Sequence, residues 1–478
     1  MIPLQFEDNR YGRSVKHPLD LRVLGVSGGS GLNGLDYALV HYHQNAPTAP
    51  LQVELLQYSE IAIPPAVRNP IIDLLHKVPR KPSTILRLNA LLGHMFSSGI
   101  ISFCRRHNIV PTSIDLVGTH APNLQRLHVP QVDDANTQSL GWNAAITAET
   151  GVTTVSNFLI LDCGVARPHV PPIAFVDRLL LRHPTKFRAC LNIQEMASIS
   201  FISAFADGDS HSIISHSCGP GSLLIDYAVQ YCTSNSHHED YNGEFGSKGQ
   251  VNEEVVHRFL MANDYMRTTP PENMAQEMFG DHEAQRLINQ CICLNMSDAD
   301  IIATVTRITT ENILKQYLRL LHRFFPSGQE VAELFICGPS AKNMNIVEHL
   351  EAKLPESVIT KPLEDVGIPG DAKESFCCAH LALEAVLGTA IQLDSTLSAR
   401  APVHSKEDAV SGRIVHGTNW EDIMVRIYQF SGGEPLHITK DVRVARKLDT
   451  VILSRESSMT TEGSGARDAW KDSLKQNT

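Results

Sequence analysis

Along the first sixty residues apolar and polar positions alternate at the two-residue period of β-strands, and a run of glycines interrupts the alternation. Leu21 to Leu24 is strand-like, Leu35 to Tyr42 alternates and is rich in β-forming residues, and Leu51 to Tyr58 repeats the pattern. Between the first two runs lies G-V-S-G-G-S-G-L-N-G-L-D, Gly25 to Asp36, with five glycines in twelve residues. The pattern predicts a three-strand meander whose first turn is a glycine loop. Helical spacing follows at Pro64 to Lys77 and Thr84 to His107, then a short buried strand at Ile114 to Gly118. Ala144 to Thr150 predicts a short helix with Gly151 as its C-cap, followed by a strand, Val152 to Val155. Phe158 to Val170 is loop-like and carries Asp162; Ile173 to Arg182 is an apolar helix.

A second meander begins at Cys190 to Ile193 and continues through Ala197 to Ile202 and His211 to Ser215. It runs into the loop Cys218-Gly219-Pro220-Gly221-Ser222 and a helix, Leu223 to Tyr231. Helices are expected at Asn252 to Met261, Asp298 to Phe324, Ala341 to Lys353 and Asp371 to Leu387. Strands are expected at Glu333 to Gly338 and Ser357 to Thr360. Each half thus has three meandering strands, then strands alternating with helices. That repeated α/β plan resembles the two-domain actin-like, sugar-kinase and Hsp70 (ribonuclease H-like) ATPase fold, in which ATP lies in an interdomain cleft. The expected divisions are a first domain at 1–150, a second at 151–400, a C-terminal extension packing on the core at 401–453 and a disordered tail at 454–478.

Composition narrows the function. A chain of 478 residues with 42% hydrophobic and 19% charged residues fits two globular domains. A net charge of −11 argues against nucleic acid, which needs a clustered basic surface. No apolar run is long enough to span a membrane and no signal pattern opens the chain, so a cytoplasmic protein is expected. The ten cysteines show no C-x-x-C spacing, which predicts buried reduced thiols and no zinc site; His237-His238-Glu239-Asp240 reads as a solvated turn.

The glycine loop is the strongest chemical signal. Without Cβ atoms, its backbone N–H groups can close around a phosphate. It contains a literal G-x-G-x-x-G from Gly29 to Gly34, yet a dinucleotide fold needs a helix next, and a strand follows. A dehydrogenase reading fails there.

From Leu21 to Met424 the residues themselves resemble the anhydro-N-acetylmuramic acid kinases, particularly the fungal-type homologues. The resemblance is carried by the first loop, by L-L-L-R-H-P-T-K-F-R-A-C-L-N-I from Leu179, and by C-G-P-G from Cys218. It continues in Y-N-G-E-F-G-S-K-G from Tyr241, T-V-T-R-I-T-T-E-N-I from Thr304 and G-I-P-G-D-A-K-E from Gly367. It implies ATP and Mg²⁺ as cofactors, and a reaction in which activated water opens a 1,6-anhydro sugar whose freed O6 takes the γ-phosphoryl group. Asp162 would be the general base. Gly29, Ser30, Gly31, Leu32, Asn33, Gly34, Leu35 and Asp36, with Gly219, Gly221 and Gly338, would contact the nucleotide. The implied partners are a small sugar and a nucleotide, with a homodimer left open.

The chain departs from the family at several of these places. Asn33 and Ser217 stand where carboxylates are expected, and Gln194-Glu195 replace two glycines. Thr119-His120-Ala121-Pro122-Asn123 and Glu272 to Glu277 also differ from the sugar-side and lid motifs. Two readings follow: an active sugar kinase, or a catalytically degenerate pseudokinase acting as a ligand-binding or scaffold protein.

Overall fold

Two sheets repeat one strand order. The computed structural model describes residues 17–28, 34–76, 82–120, 142–156, 158, 172–204, 213–262, 281–325, 328–389, 412–437 and 442–445. The first sheet contains β1 (Leu19–Gly28), β2 (Gly34–Gln44), β3 (Leu51–Ala62), β4 (Leu116–Thr119) and β5 (Thr153–Ser156) in the order β3-β2-β1-β4-β5. The second contains β6 (Arg188–Ile193), β7 (Met196–Ile202), β8 (Ile214–Pro220), β9 (Glu333–Cys337) and β10 (Ile359–Pro362) in the matching order β8-β7-β6-β9-β10. In each, the first three strands pair antiparallel and the last two join in parallel. This is the duplicated plan expected of the actin-like sugar-kinase fold. Tight turns suffice for the antiparallel strands, while each parallel step needs a crossover.

Those crossovers are α1 (Pro65–His76) and α2 (Pro82–Arg106), then α3 (Asn143–Thr150), in the first half. Gly151 ends α3 in the left-handed conformation, its N–H bonded to the Thr147 carbonyl, as a C-cap glycine does. Helix α4 (Pro172–Leu181) leads to the second sheet, which is covered by α5 (Leu223–Cys232), α6 (Glu253–Ala262), α7 (Asp281–Cys293), α8 (Asp298–Phe324) and α9 (Met344–Lys353). Helix α10 (Lys373–Leu387) returns to the first sheet and α11 (Trp420–Ser431) packs beside it.

Alternation along β1 sorts the first sheet's two faces. Leu24 and Val26 pack with Phe96, Phe103 and Ile146 from α2 and α3, whereas Leu21 and Val23 pack with Phe376, Leu383 and Phe430 from α10 and α11. Sheet membership does not follow sequence order. β5 belongs to the first sheet, and so do two short strands from the far end of the chain. β11 (Arg413–Val415) pairs with β5 and β12 (Val442–Val444) pairs with β3. β8 begins later than its apolar pattern suggests and runs on through Cys218-Gly219-Pro220, with Pro220 as its last residue at a sheet edge. Among the described residues no helix is long and apolar enough to cross a membrane.

Candidate active site

In sheets of this kind ligands gather at the carboxyl ends of the parallel strands. In the first sheet, Val26, Thr119 and Ser156 form one row across β1, β4 and β5, so Gly28 and the residues after Thr119 and Ser156 leave the sheet at one edge. Helix α10 lies hard against this sheet because Gly25 and Gly118 are neighbours in it. A Cβ on Gly25 would stand 1.7 Å from the Ser375 carbonyl oxygen, and one on Gly118 would stand 2.1 Å from that of Cys378. The start of α10 is thereby brought to the strand edge. The Ser27 hydroxyl donates to Glu374 Oε2 at 3.0 Å.

Asp36 stands opposite Ser27 on β1 and Glu60 on β3. The Tyr58 hydroxyl lies 2.8 Å from Asp36 Oδ1 and 3.2 Å from the Asp371 carbonyl oxygen. Asp371 is also ion-paired with Lys342, which comes from the turn after β9 in the other half of the molecule. Burial pushes the Asp36 carboxyl up to about 8; the Tyr58 hydrogen bond opposes this, and the charges of Glu60, Glu374 and Asp371 reinforce it. The result is a half-buried carboxyl, at the exit of the glycine loop, that prefers its proton until positive charge arrives.

The second sheet presents the carboxyl ends of β6, β8 and β9 together. Gly338, which follows β9, has φ +93°, and a Cβ there would lie 2.6 Å from the Ile193 carbonyl oxygen and 2.8 Å from Asn192 Oδ1. Gly221 cannot carry a side chain either, since its Cβ would lie 2.0 Å from the Gln194 carbonyl oxygen. The N–H groups of Gly221 and Leu223 donate to the Glu195 carbonyl at 2.8 and 3.2 Å, and Ser222 N–H donates to that of Gln194 at 2.7 Å. Gly219, at φ +92°, donates its N–H to Ser217 Oγ at 3.3 Å. The donors that would face an anion at the start of α5 are therefore spent on the β6–β7 turn. The Glu195 charge acts on Asp226 in the first turn of α5. Burial pushes Asp226 up to about 7, a Ser222 hydrogen bond opposes it, and Glu239, Glu195 and Asp240 add to it.

The structure thus brings Gly34, Leu35 and Asp36 to one edge and Gly219, Gly221 and Gly338 to the other, with Lys342 and Asp371 joining the two. Gly29, Ser30, Gly31, Leu32 and Asn33 lie outside the described residues, as do Asp162, Ala121 to Asn123 and Glu272 to Glu277. Tyr58, Glu60 and Lys342 are not marked in the sequence, and Asp371 and Glu374 had no expected role; the last two sit in the G-I-P-G-D-A-K-E motif, which was the available signal. His237 and His238 are exposed, and among the described residues no group of three or more His, Cys, Asp or Glu is arranged to hold a metal ion.

The sequence profile of the anhydro-N-acetylmuramic acid kinase family matches residues 21–404. The chain belongs to that family. It is 27% identical over 388 residues to the anhydro-N-acetylmuramic acid kinase of Caldanaerobacter subterraneus subsp. tengcongensis, covering 80% of this chain and 95% of that one. It is 29% identical over 366 residues to that of Bacillus cereus, covering 76% and 90%. Among solved structures, component A of the Acidaminococcus fermentans (R)-2-hydroxyglutaryl-CoA dehydratase aligns at a TM-score of 0.37 and 11% identity, over 76% of this chain and 98% of that one. That likeness is too weak to argue from, and the fold assignment rests on the duplicated strand order. Membership of the kinase family makes a sugar and a nucleotide the substrates to consider for the edge around Asp36.

Proposed function

We propose that this protein is an ATP-dependent kinase of a 1,6-anhydro amino sugar that opens the anhydro bridge as it phosphorylates. Asp162 accepts a proton from the water that attacks the anomeric carbon, and the freed O6 takes the γ-phosphoryl group. The loop from Gly29 to Gly34 supplies backbone N–H groups to the phosphates, with the Ser30 hydroxyl beside them and Leu32, Asn33 and Leu35 shaping the loop. Gly219, Gly221 and Gly338 let the nucleotide approach the second sheet closely; their contribution is space, because the donors at Gly219 and Gly221 are already engaged.

The residues at the first edge fit a hard cation bound through oxygen. Asp36 and Glu374 would hold magnesium or its waters, compensating for the charge that Asn33 lacks. Bound magnesium would neutralise charge on the transferred phosphoryl group. The observation that carries the reading is Asp36 itself, a carboxyl at the end of the glycine loop set among other carboxyls.

The test is thermal unfolding with Mg·ATP, followed by mass detection of a phosphorylated, ring-opened sugar from 1,6-anhydro-N-acetylmuramic acid. A ligand at 100 times its dissociation constant stabilises by about 2.7 kcal/mol. Asp162→Asn should keep that shift and lose the product. No shift together with no product would sink the proposal.

A further inference from the structure

Among the described residues one lysine is buried, and it takes no part in this chemistry. Lys373, the first residue of α10, is 1% exposed and reaches away from the first sheet into the second. Its ammonium lies 2.6 Å from Asp177 Oδ1 on α4, 3.2 Å from Cys190 Sγ on β6 and 3.4 Å from Cys337 Sγ on β9. All of these partners are buried. A lysine at a helix N-terminus opposes the helix dipole, and burying it is costly, so packing alone gives no reason for it.

The sulfurs themselves are 3.8 Å apart, yet their backbones are poorly placed for a disulfide. Cys190 pairs with Phe335 and Cys337 with Asn192, so the two cysteines are diagonal, two residues out of register on adjacent parallel strands. That offset carries their Cα atoms toward the limit a disulfide can bridge. The lysine nitrogen, on a long flexible stem, already touches both sulfurs.

We propose that Lys373 and Cys337 form an oxidant-sensitive cross-linking site, which a hydroperoxide converts into a covalent sulfur–nitrogen link, a sulfenamide. The sulfur of Cys190 lies against that of Cys337, and this contact with the Lys373 charge holds the Cys337 thiol below its usual range against the effects of burial and of the Asp177 charge. The same contact and burial hold Cys190 well above it, so Cys337 is the nucleophile. Its thiolate attacks the peroxide O–O bond, giving a sulfenic acid and hydroxide, and the hydroxide takes a proton from the Lys373 ammonium. The neutral amine then attacks the sulfenic sulfur; the S–O bond breaks, and the departing hydroxide takes the N–H proton. One thiolate, one ammonium and one hydrogen peroxide yield the S–N link and two waters. The link also removes the positive charge that balances Asp177, which loosens the junction of α4 and α10.

The experiment is peptide mapping of the full chain, reduced and then treated with hydrogen peroxide, denatured, alkylated and digested with trypsin. The expected result is a peptide pair joined through Lys373 and Cys337, lighter than the free peptides by two hydrogens, uncleaved at Lys373 and separated again by thiol reductant. Oxidised protein should melt at a lower temperature than reduced protein. Cys293 is exposed and reports that oxidant was delivered. Cys337→Ser should abolish the link and Cys190→Ser should retain it. A Cys190–Cys337 disulfide, a link that survives Cys337→Ser, or oxidised Cys293 beside intact Lys373 and alkylatable Cys337 would each overturn the proposal. None of these readouts depends on kinase activity.

Discussion

Gly25 on β1 and Gly118 on β4 sit side by side, and α10 rests directly on the lane they make. Carbonyl oxygens of the helix occupy the space where either Cβ would be, so alanine at either position has to lift the helix off the sheet. Gly25→Ala and Gly118→Ala should each destabilise the fold by about 1–3 kcal/mol, the usual range for overpacking a close-fitting core. Because α10 carries Glu374 and follows directly on Asp371, Mg·ATP affinity should fall with stability. Denaturant unfolding and a binding titration on the same variants check both parts.

Asp36 makes stability depend on pH with an unusual sign. An unfolded aspartate loses its proton near 3.8, while the folded Asp36 carboxyl keeps it to about 8. Between those values the folded chain binds more protons than the unfolded one, so this group's contribution to stability falls as pH rises. A tenfold change in proton affinity is worth about 1.4 kcal/mol, and half of the displacement already amounts to about 3 kcal/mol. Asp36→Asn should therefore gain on the wild type by about that much on going from pH 4 to pH 8. Glu60, Asp371, Glu374 and Lys342 stay in place in that comparison. Equal pH dependence in the two proteins would show that Asp36 ionises normally.

Much of this was legible in the sequence where local signals are strong. Helix α8 has the expected bounds, Asp298–Phe324, because Ser297 and Asp300 form a capping box ahead of a long apolar stripe. The strands on either side of the glycine loop, β1 and β2, were legible from alternation alone. Short strands were not. β11 and β12 have three residues each and exist only through pairing with β5 and β3, far away in sequence. Helix α7 escaped notice because few apolar residues, among them Leu287, Ile288 and Cys291, mark its inner face. The glycines were read as one phosphate loop, but Gly25 serves the packing of α10. Tyr58 carried no motif, and only the fold shows it bridging Asp36 and Asp371.

Glu333 should behave in the opposite way to Asp36. It is 1% exposed at the start of β9, with Lys186 at 2.6 Å, Arg188 at 2.7 Å and Lys361 at 2.7 Å. Burial pushes its carboxyl up, but these cations prevail and hold it at about 2. The stabilisation is present above the unfolded value near 4.5 and is lost as pH falls toward 2. Two of the partners are partly solvated, which limits the cost of removing the charge. Glu333→Gln should cost about 2 kcal/mol at pH 7 and progressively less in acid. Urea unfolding at pH 7 and pH 3 measures the difference.

Gly221 separates a packing role from a ligand role. Its absent side chain leaves room for the Gln194 carbonyl, and its N–H is bonded to the Glu195 carbonyl. Gly221→Ala should push the β6–β7 turn away from the start of α5, costing about 1–3 kcal/mol. On the proposed reading, the N–H groups released by that movement are not those assigned to phosphate, which belong to the loop between Gly29 and Gly34. Folded Gly221→Ala protein should therefore bind Mg·ATP within about threefold of wild type, a difference below about 0.7 kcal/mol. Unchanged stability with lost binding would reverse the assignment and make Gly221 a nucleotide contact. Measuring unfolding and calorimetric binding on one preparation distinguishes the two, because the turn and the ligand cannot both use the same amide.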